Sequence, residues 1–268
     1  MQIELLIIDP QYDFCNPNGS LFVPGAEEDM PRLAKMVTRL KKKIDDIHVT
    51  LDSHHLVDIA HPIFWLKSDG THPIPFENGL PTIITVEDID NGLYRTTYPP
   101  HQARATEYVK ALAANGRYPL CIWPPHCLIG SIGATIVPEL FEALLDWENE
   151  FAMVDKVTKG SNFWSEHYSA VQADVPDPED PSTQLNWGLI ETLEKSDVIL
   201  LAGEARSHCL ANTVTDIADN FGEENIKKMV LLEDATSDVG GCEDMGKDFV
   251  KKMVARGMQV STTVDYLK

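Results

Sequence analysis

Short apolar runs rich in branched residues recur along the chain at 3–8, 47–51, 151–154, 197–202, 229–232 and 259–263. Their length and composition predict six β-strands. Between them, apolar residues return at helical spacing over 27–43, 103–115, 133–147, 185–195, 209–220 and 243–256, which predicts helices. This alternation predicts an α/β three-layer sandwich, with a mostly parallel six-stranded sheet covered by helices on both faces. Sheets of this kind collect ligands at the carboxyl ends of their strands. Asp9, Asp52 and the turn 203–209 each follow a strand-like run directly, so three distant segments are expected to meet at one end of the sheet.

Two stretches break the alternation. Residues 62–101 are rich in Pro, Gly, Thr and aromatics and show no helical period, and residues 174–184 form an acidic, proline-punctuated loop. The pattern therefore reads as one domain over 1–268 with an insertion at about 62–119 and a long loop at 174–184. Long loops in compact domains are often lids or binding surfaces. The aromatics Phe64, Trp65, Phe76, Tyr94 and Tyr98 need cover from substrate, core or a second subunit, so the insertion is expected to be a lid or an oligomer contact.

Composition narrows the partners. Forty-two acidic against 22 basic residues give a formal charge of −20, which argues against nucleic acid or an anionic membrane as a partner. The acidic surface itself reads as solubility. Five cysteines, an odd number in so long a chain, do not read as a disulfide framework and fit a reducing compartment. Met1 runs straight into the first strand-like run, and the compartment expected on this reading is the cytoplasm.

The chemistry-bearing residues sit at the predicted strand ends. Asp52 and His54 are two residues apart, so in an extended segment their side chains point the same way. His126 follows the rigid pair Pro124-Pro125. One carboxylate and two imidazoles suit a divalent ion, with Zn²⁺ first and Fe²⁺ or Mn²⁺ as alternatives. His61 is a candidate fourth ligand across a short loop, while His55 points away. Cys209 falls where a strand passes into a helix, a position that lowers a thiol pKa and leaves backbone N–H groups free for an oxyanion. Cys15 and Cys127 lie beside other functional segments and compete with it. Cys121 and Cys242 have no such neighbourhood. Asp9 can supply an acid–base group, and Lys159, with Lys156 as its rival, a cation that favours the thiolate.

Six segments occur in the order seen in nicotinamidases. They are Ile7-Ile8-Asp9-Pro10-Gln11-Tyr12-Asp13-Phe14-Cys15, Asp52-Ser53-His54, Trp123-Pro124-Pro125-His126-Cys127, Lys159-Gly160-Ser161-Asn162, Tyr168-Ser169-Ala170 and Gly203-Glu204-Ala205-Arg206-Ser207-His208-Cys209. The chain thus resembles the isochorismatase-like cysteine hydrolases. The resemblance implies their Rossmann-like hydrolase fold and an Asp9–Lys159–Cys209 triad. It also implies a cis peptide between Glu204 and Ala205, with the Ala205 and Cys209 N–H groups as oxyanion hole. It places metal ligands at Asp52, His54 and His126, an aromatic clamp at Phe14, Trp123 and Tyr168, and a homo-oligomer. The activity implied is hydrolysis of nicotinamide or a related heteroaromatic amide through a thioester on Cys209. Other carboxamide, ureido or carbamoyl compounds are the alternative, and a non-catalytic metabolite-binding protein a third reading.

Departures from the family pattern fall on the pocket walls. The usual Phe-Ala pair after the histidine loop is replaced by His61-Pro62-Ile63-Phe64-Trp65. The gap from His61 to His126 is longer than in compact members, and Gly-Glu-Ala-Arg-Ser-His-Cys stands for the commoner Gly-Leu-Ala-Thr-Asp-Tyr-Cys. The chemistry is expected to persist while the walls are remodelled.

Overall fold

The computed structural model describes residues 1–77 and 80–268. Its central sheet holds β1 (Ile3–Ile8), β2 (Asp46–Asp52), β3 (Asp155–Lys159), β4 (Val198–Gly203), β5 (Met229–Leu232) and β6 (Gln259–Ser261). Their spatial order is β6-β5-β4-β1-β2-β3, and every pairing is parallel. This is the doubly wound Rossmann order, whose switch point lies between β1 and β4.

Alternation along the strands divides the core in two. Leu6 and Ile8 of β1, Ile199 and Leu201 of β4 and Leu231 of β5 pack with α2 (Gln102–Asn115), α4 (Trp187–Lys195), α5 (Cys209–Phe221) and α6 (Glu243–Arg256). Leu5, Ile7, Val49, Leu200 and Ala202 face the other way, onto α1 (Ala26–Leu40) and α3 (Pro138–Glu148). Period-two strands between two helical layers give the sandwich that the alternation predicts. No helix among the described residues is long and apolar enough to cross a membrane.

The sequence reading misplaces three elements. The run 151–154 is not a strand: Phe151 has φ 66° and is fully exposed in the turn after α3, and the strand is the next segment, Asp155–Lys159. β3 is the sheet edge, where polar residues replace an apolar run. Helix α3 starts at Pro138 rather than 133, since proline fits the first helical position and 132–134 form a separate 3₁₀ turn. Leu120–Ile122, not anticipated as a strand, pairs antiparallel with Leu80–Ile84 of the insertion, outside the central sheet.

The described residues of the insertion carry regular structure. They include a strand pair, Trp65–Lys67 with Tyr94–Thr96, and a short helix, Val86–Asp90, capped by Thr85. Phe64 and Trp65 are buried in the core, whereas Tyr98 and Phe76 stay exposed.

Away from the carboxyl ends of the strands, Glu4 is fully buried near the start of β1. His48 on β2 meets its carboxylate at 3.1 Å through Nε2 and that of Asp155 at 2.9 Å through Nδ1. Burial opposes charge on this imidazole, yet the two carboxylates outweigh it and raise its pKa. A histidine raised in the folded state stabilises fully below its unfolded value, about 6.5, and loses that contribution as pH rises through the folded value. Urea titrations should therefore show the gap between wild type and His48→Gln narrowing as pH is raised above about 6.5. A gap constant with pH would refute this.

Candidate active site

The strand register brings the predicted residues together at the switch point. Asp52 and Lys159, the last residues of β2 and β3, stand directly opposite one another, and Asp9 follows β1 in a left-handed conformation, φ 43°. Thr50, two residues before Asp52 and so on the same face, donates its hydroxyl to Asp9 Oδ1 at 2.5 Å and accepts the Asp9 N–H at 3.0 Å. Gln11 holds the Asp52 backbone through both ends of its amide, each bond 2.7 Å.

Lys159 is the centre of the arrangement. Its ammonium lies 2.9 Å from Asp9 Oδ2, 3.1 Å from Asp52 Oδ1 and 3.6 Å from Cys209 Sγ, and all four side chains are buried. Burial works against its charge, but Asp52 and Asp9 hold its pKa well above the ordinary lysine value. Burial raises Asp9 in turn, with Lys159 pulling it down and Asp52 pushing it up. Asp52 behaves oppositely: burial is outweighed by His54 and Lys159, which hold it well below the carboxylate range. Lys156, the rival cation, is exposed on β3.

The thiol does not match the expectation of a low pKa. Burial pushes Cys209 well above an ordinary thiol, and Lys159 offsets this only in part because Asp9 and Asp52 push the same way as burial. Burial thus favours the neutral thiol, and Lys159 stands between Cys209 and the Asp9 carboxylate.

Glu204–Ala205 is a cis peptide. The Ala205 carbonyl accepts from His208 and Leu210 at 2.9 and 3.1 Å, while neither the Ala205 nor the Cys209 N–H meets an acceptor among the described residues. Free donors in the turn before α5 and at its first residue suit a developing negative charge.

Asp52, His54 and His126 offer ligand atoms within 4.8 Å of one another. Asp52 Oδ2 lies 3.1 Å from His54 Nε2 and 3.4 Å from His126 Nε2, close to the ~3.0–3.4 Å edges expected of ligands ~2.1 Å from one ion. Second partners fix the tautomers. His54 Nδ1 donates to Asp58 at 3.0 Å and His126 Nδ1 to the Pro124 carbonyl at 2.9 Å, leaving both Nε2 lone pairs for a metal. His61 follows suit: Nδ1 donates to the Leu56 carbonyl at 3.1 Å, and Nε2 is buried with no partner among the described residues. Its ring lies 5.3 and 5.6 Å from those of His54 and His126, and burial pushes its pKa down to about 4, so it stays neutral. The donor set fits a divalent ion. His55 is exposed, as its place in an extended segment predicts.

Gly160 lets these parts pack. Its φ is 84°, and a Cβ there would lie 2.6 Å from Asp52 Oδ1 and 3.2 Å from the His54 ring, so a side chain would displace both.

One cavity opens onto this set, lined by Phe14, Trp123, Tyr168, Ala205 and Cys209 together with Asp52, His54 and His126. Phe14 packs edge-on against His126, and Trp123 Nε1 donates to Tyr168 Oη at 2.9 Å. Cys15, Cys121 and Cys127 are buried away from the cavity and Cys242 is half-buried outside it. No described residue of 62–119 lines it. Among the described residues, the insertion backs the cavity wall: Phe76 lies against the Trp123 ring at 6.0 Å, Tyr118 against the Tyr168 and His208 rings at 5.2 and 5.4 Å, and Tyr108 Oη accepts the Glu166 N–H at 2.7 Å.

Sequence reasoning missed Asp58, Glu166, His167 and His208. Thr50 was legible from strand alternation with Asp52. Asp58 and His167 lie on irregular segments with no periodicity to aim them.

No protein-family model matches the chain, and no curated protein does. Solved structures share its fold. A yeast nicotinamidase bound to the inhibitor nicotinaldehyde superposes with a TM-score of 0.64 at 18% identity, over 97% of this chain and 100% of that one. A nicotinamidase–pyrazinamidase from Acinetobacter baumanii gives 0.63 at 19%, over 99% and 98%. A Pyrococcus horikoshii pyrazinamidase in complex with zinc gives 0.57 at 19%, over 98% and 99%.

Proposed function

We propose that this protein is a metal-containing cysteine amidohydrolase that converts nicotinamide, or a closely related heteroaromatic amide, to its acid and ammonia. The observation that carries the reading is Lys159 bridging Asp9 at 2.9 Å and Cys209 at 3.6 Å beside two unpartnered backbone N–H groups. The similar structures agree, since those proteins are nicotinamidases and pyrazinamidases, one bound to nicotinaldehyde and one to zinc.

Asp9 takes the proton of Cys209 as sulfur attacks the amide carbonyl carbon, and the Ala205 and Cys209 N–H groups receive the oxyanion. Collapse breaks the C–N bond while Asp9 returns the proton to the departing nitrogen, releasing ammonia and leaving a thioester. Water, deprotonated by Asp9, then attacks the acyl carbon, and the thiol is restored as the acid departs. Lys159 keeps the two carboxylates compatible with a passing thiolate. Phe14, Trp123 and Tyr168 hold the ring. Asp52, His54 and His126, with His61 as fourth ligand, would hold a divalent ion, zinc first, which when bound supplies a Lewis acid at the cavity wall, directly or through its water.

Ammonia release from nicotinamide by purified protein tests the reading directly. The polar wall formed by Glu166, His167 and His208 favours a second one, hydrolysis of a ureido or carbamoyl compound. A preference of orders of magnitude for such a substrate would select it, and no release from any small amide would leave a metabolite-binding protein.

The metal assignment has its own check. Protein purified without a polyhistidine tag should carry one divalent ion per chain by elemental analysis, and a His54→Ala, His126→Ala double variant should carry none. A full equivalent retained by the double variant would refute the ligand set.

A further inference from the structure

One polar group on the cavity wall has no part in the steps above. His167 is 8% exposed and lines the cavity with Asp52, His54, Tyr168 and Cys209. The Gly160 N–H donates to its Nδ1 at 3.3 Å, so the ring hydrogen sits on Nε2. That Nε2 is buried and meets no acceptor among the described residues. Burial, with Lys159 adding to it, pushes the imidazole down to about 3. His167 is therefore neutral, with one nitrogen occupied and the other carrying hydrogen. It is a fixed donor, and in this tautomer it offers an ion no lone pair.

A buried donor without a partner is rare in folded proteins and marks a place where a ligand or water completes the bond. The chemistry of a bound amide limits what that ligand atom is. Its carbonyl oxygen is already met by the Ala205 and Cys209 N–H groups, and its NH₂ group is itself a donor. The acceptors that remain are on the ring.

Resting on the amidase reading, we propose that His167 is a specificity-determining residue, whose Nε2–H donates to a nitrogen or oxygen acceptor on the substrate ring. The cavity then selects amides of acceptor-bearing rings over plain aryl amides through His167, separately from whatever the metal contributes.

The test uses product acids and the metal-loaded protein. Dissociation constants of pyridine-3-carboxylate, pyrazine-2-carboxylate and benzoate are measured by calorimetry for wild type, His167→Phe and His167→Gln, with metal content checked in each. His167→Phe should lower the preference for the tighter-binding acceptor-bearing acid over benzoate by about tenfold, the size of one hydrogen bond. His167→Gln, which keeps an N–H donor, should restore most of it. A preference unchanged in His167→Phe at equal metal content, or benzoate weakened as much as the heteroaromatic acids, would overturn the inference and leave the amidase reading standing. If no acid binds and wild type releases no ammonia from the three corresponding amides, the amidase reading fails and this inference with it.

Discussion

Cys209→Ala is expected to reduce ammonia release by at least about 10⁴-fold, the scale seen when a covalent nucleophile is removed from a site whose other parts remain. Among the described cysteines, Cys209 alone lines the cavity and stands beside Lys159. Cys15→Ala and Cys127→Ala, whose thiols lie in the core away from the cavity, should therefore leave kcat within a few-fold once folding is confirmed. The metal content of Cys209→Ala should match wild type, because its sulfur is outside the Asp52, His54, His126 cluster. Release within tenfold of wild type by Cys209→Ala would sink the thioester route. Loss of metal in the same variant would show that the two halves of the site had been wrongly separated.

Lys159→Met should be destabilising by about 3–5 kcal/mol near neutral pH, since it leaves buried carboxylates without their cation. Asp9 and Lys159 are 0% and 2% exposed and Asp52 is 4% exposed, so solvent screens little of the lost interaction. The sign of the pH dependence follows from Asp9, whose folded pKa is already above 3.8 through burial, with Lys159 pulling it down. Without Lys159 it rises further, and a carboxyl raised in the folded state disfavours folding once pH exceeds the unfolded value. The deficit should therefore be larger at pH 8 than at pH 5 in urea unfolding. A variant within 1 kcal/mol of wild type at pH 8 would show that the carboxylates find other compensation.

The regular part of the fold was legible because its physics is local. Branched apolar runs and helical periods located β1, β2, β4, β5 and α5 within a residue or two, and their alternation led to the parallel sheet. β3 escaped because an edge strand need not be apolar: Asp155-Lys156-Val157-Thr158-Lys159 carries no run to detect, and Phe151 and Met153 drew the assignment upstream although both are exposed. The cluster of Asp52, His54 and His126 was legible from the Asp-x-His spacing and the rigid Pro-Pro-His run. Lys159 over Lys156 was not, since only the register opposite Asp52 distinguishes them, and the choice rested on resemblance. The upward push on the Cys209 thiol was hidden for a related reason. A helix start is visible in a sequence, whereas the depth of burial that raises the thiol is a property of the whole fold.

The insertion leaves and rejoins the core at adjacent points: the Trp123 N–H donates to the Ala60 carbonyl at 2.8 Å. Some sixty residues thus form a closed detour between the segments that carry His61 and His126, which lie side by side at its base. Since the entropy of closing a loop grows only as the logarithm of its length, about 0.6 kcal/mol per doubling, such a detour can lengthen or shrink across evolution while His61 and His126 keep their places. The same property makes the outer part of the detour the place for engineering. A foreign segment spliced between the paired Lys67 and Tyr94 would need a strand to meet Leu120–Ile122 and an apolar residue in the place of Ile84, while Phe64, Trp65 and α2 keep their cover on the sheet.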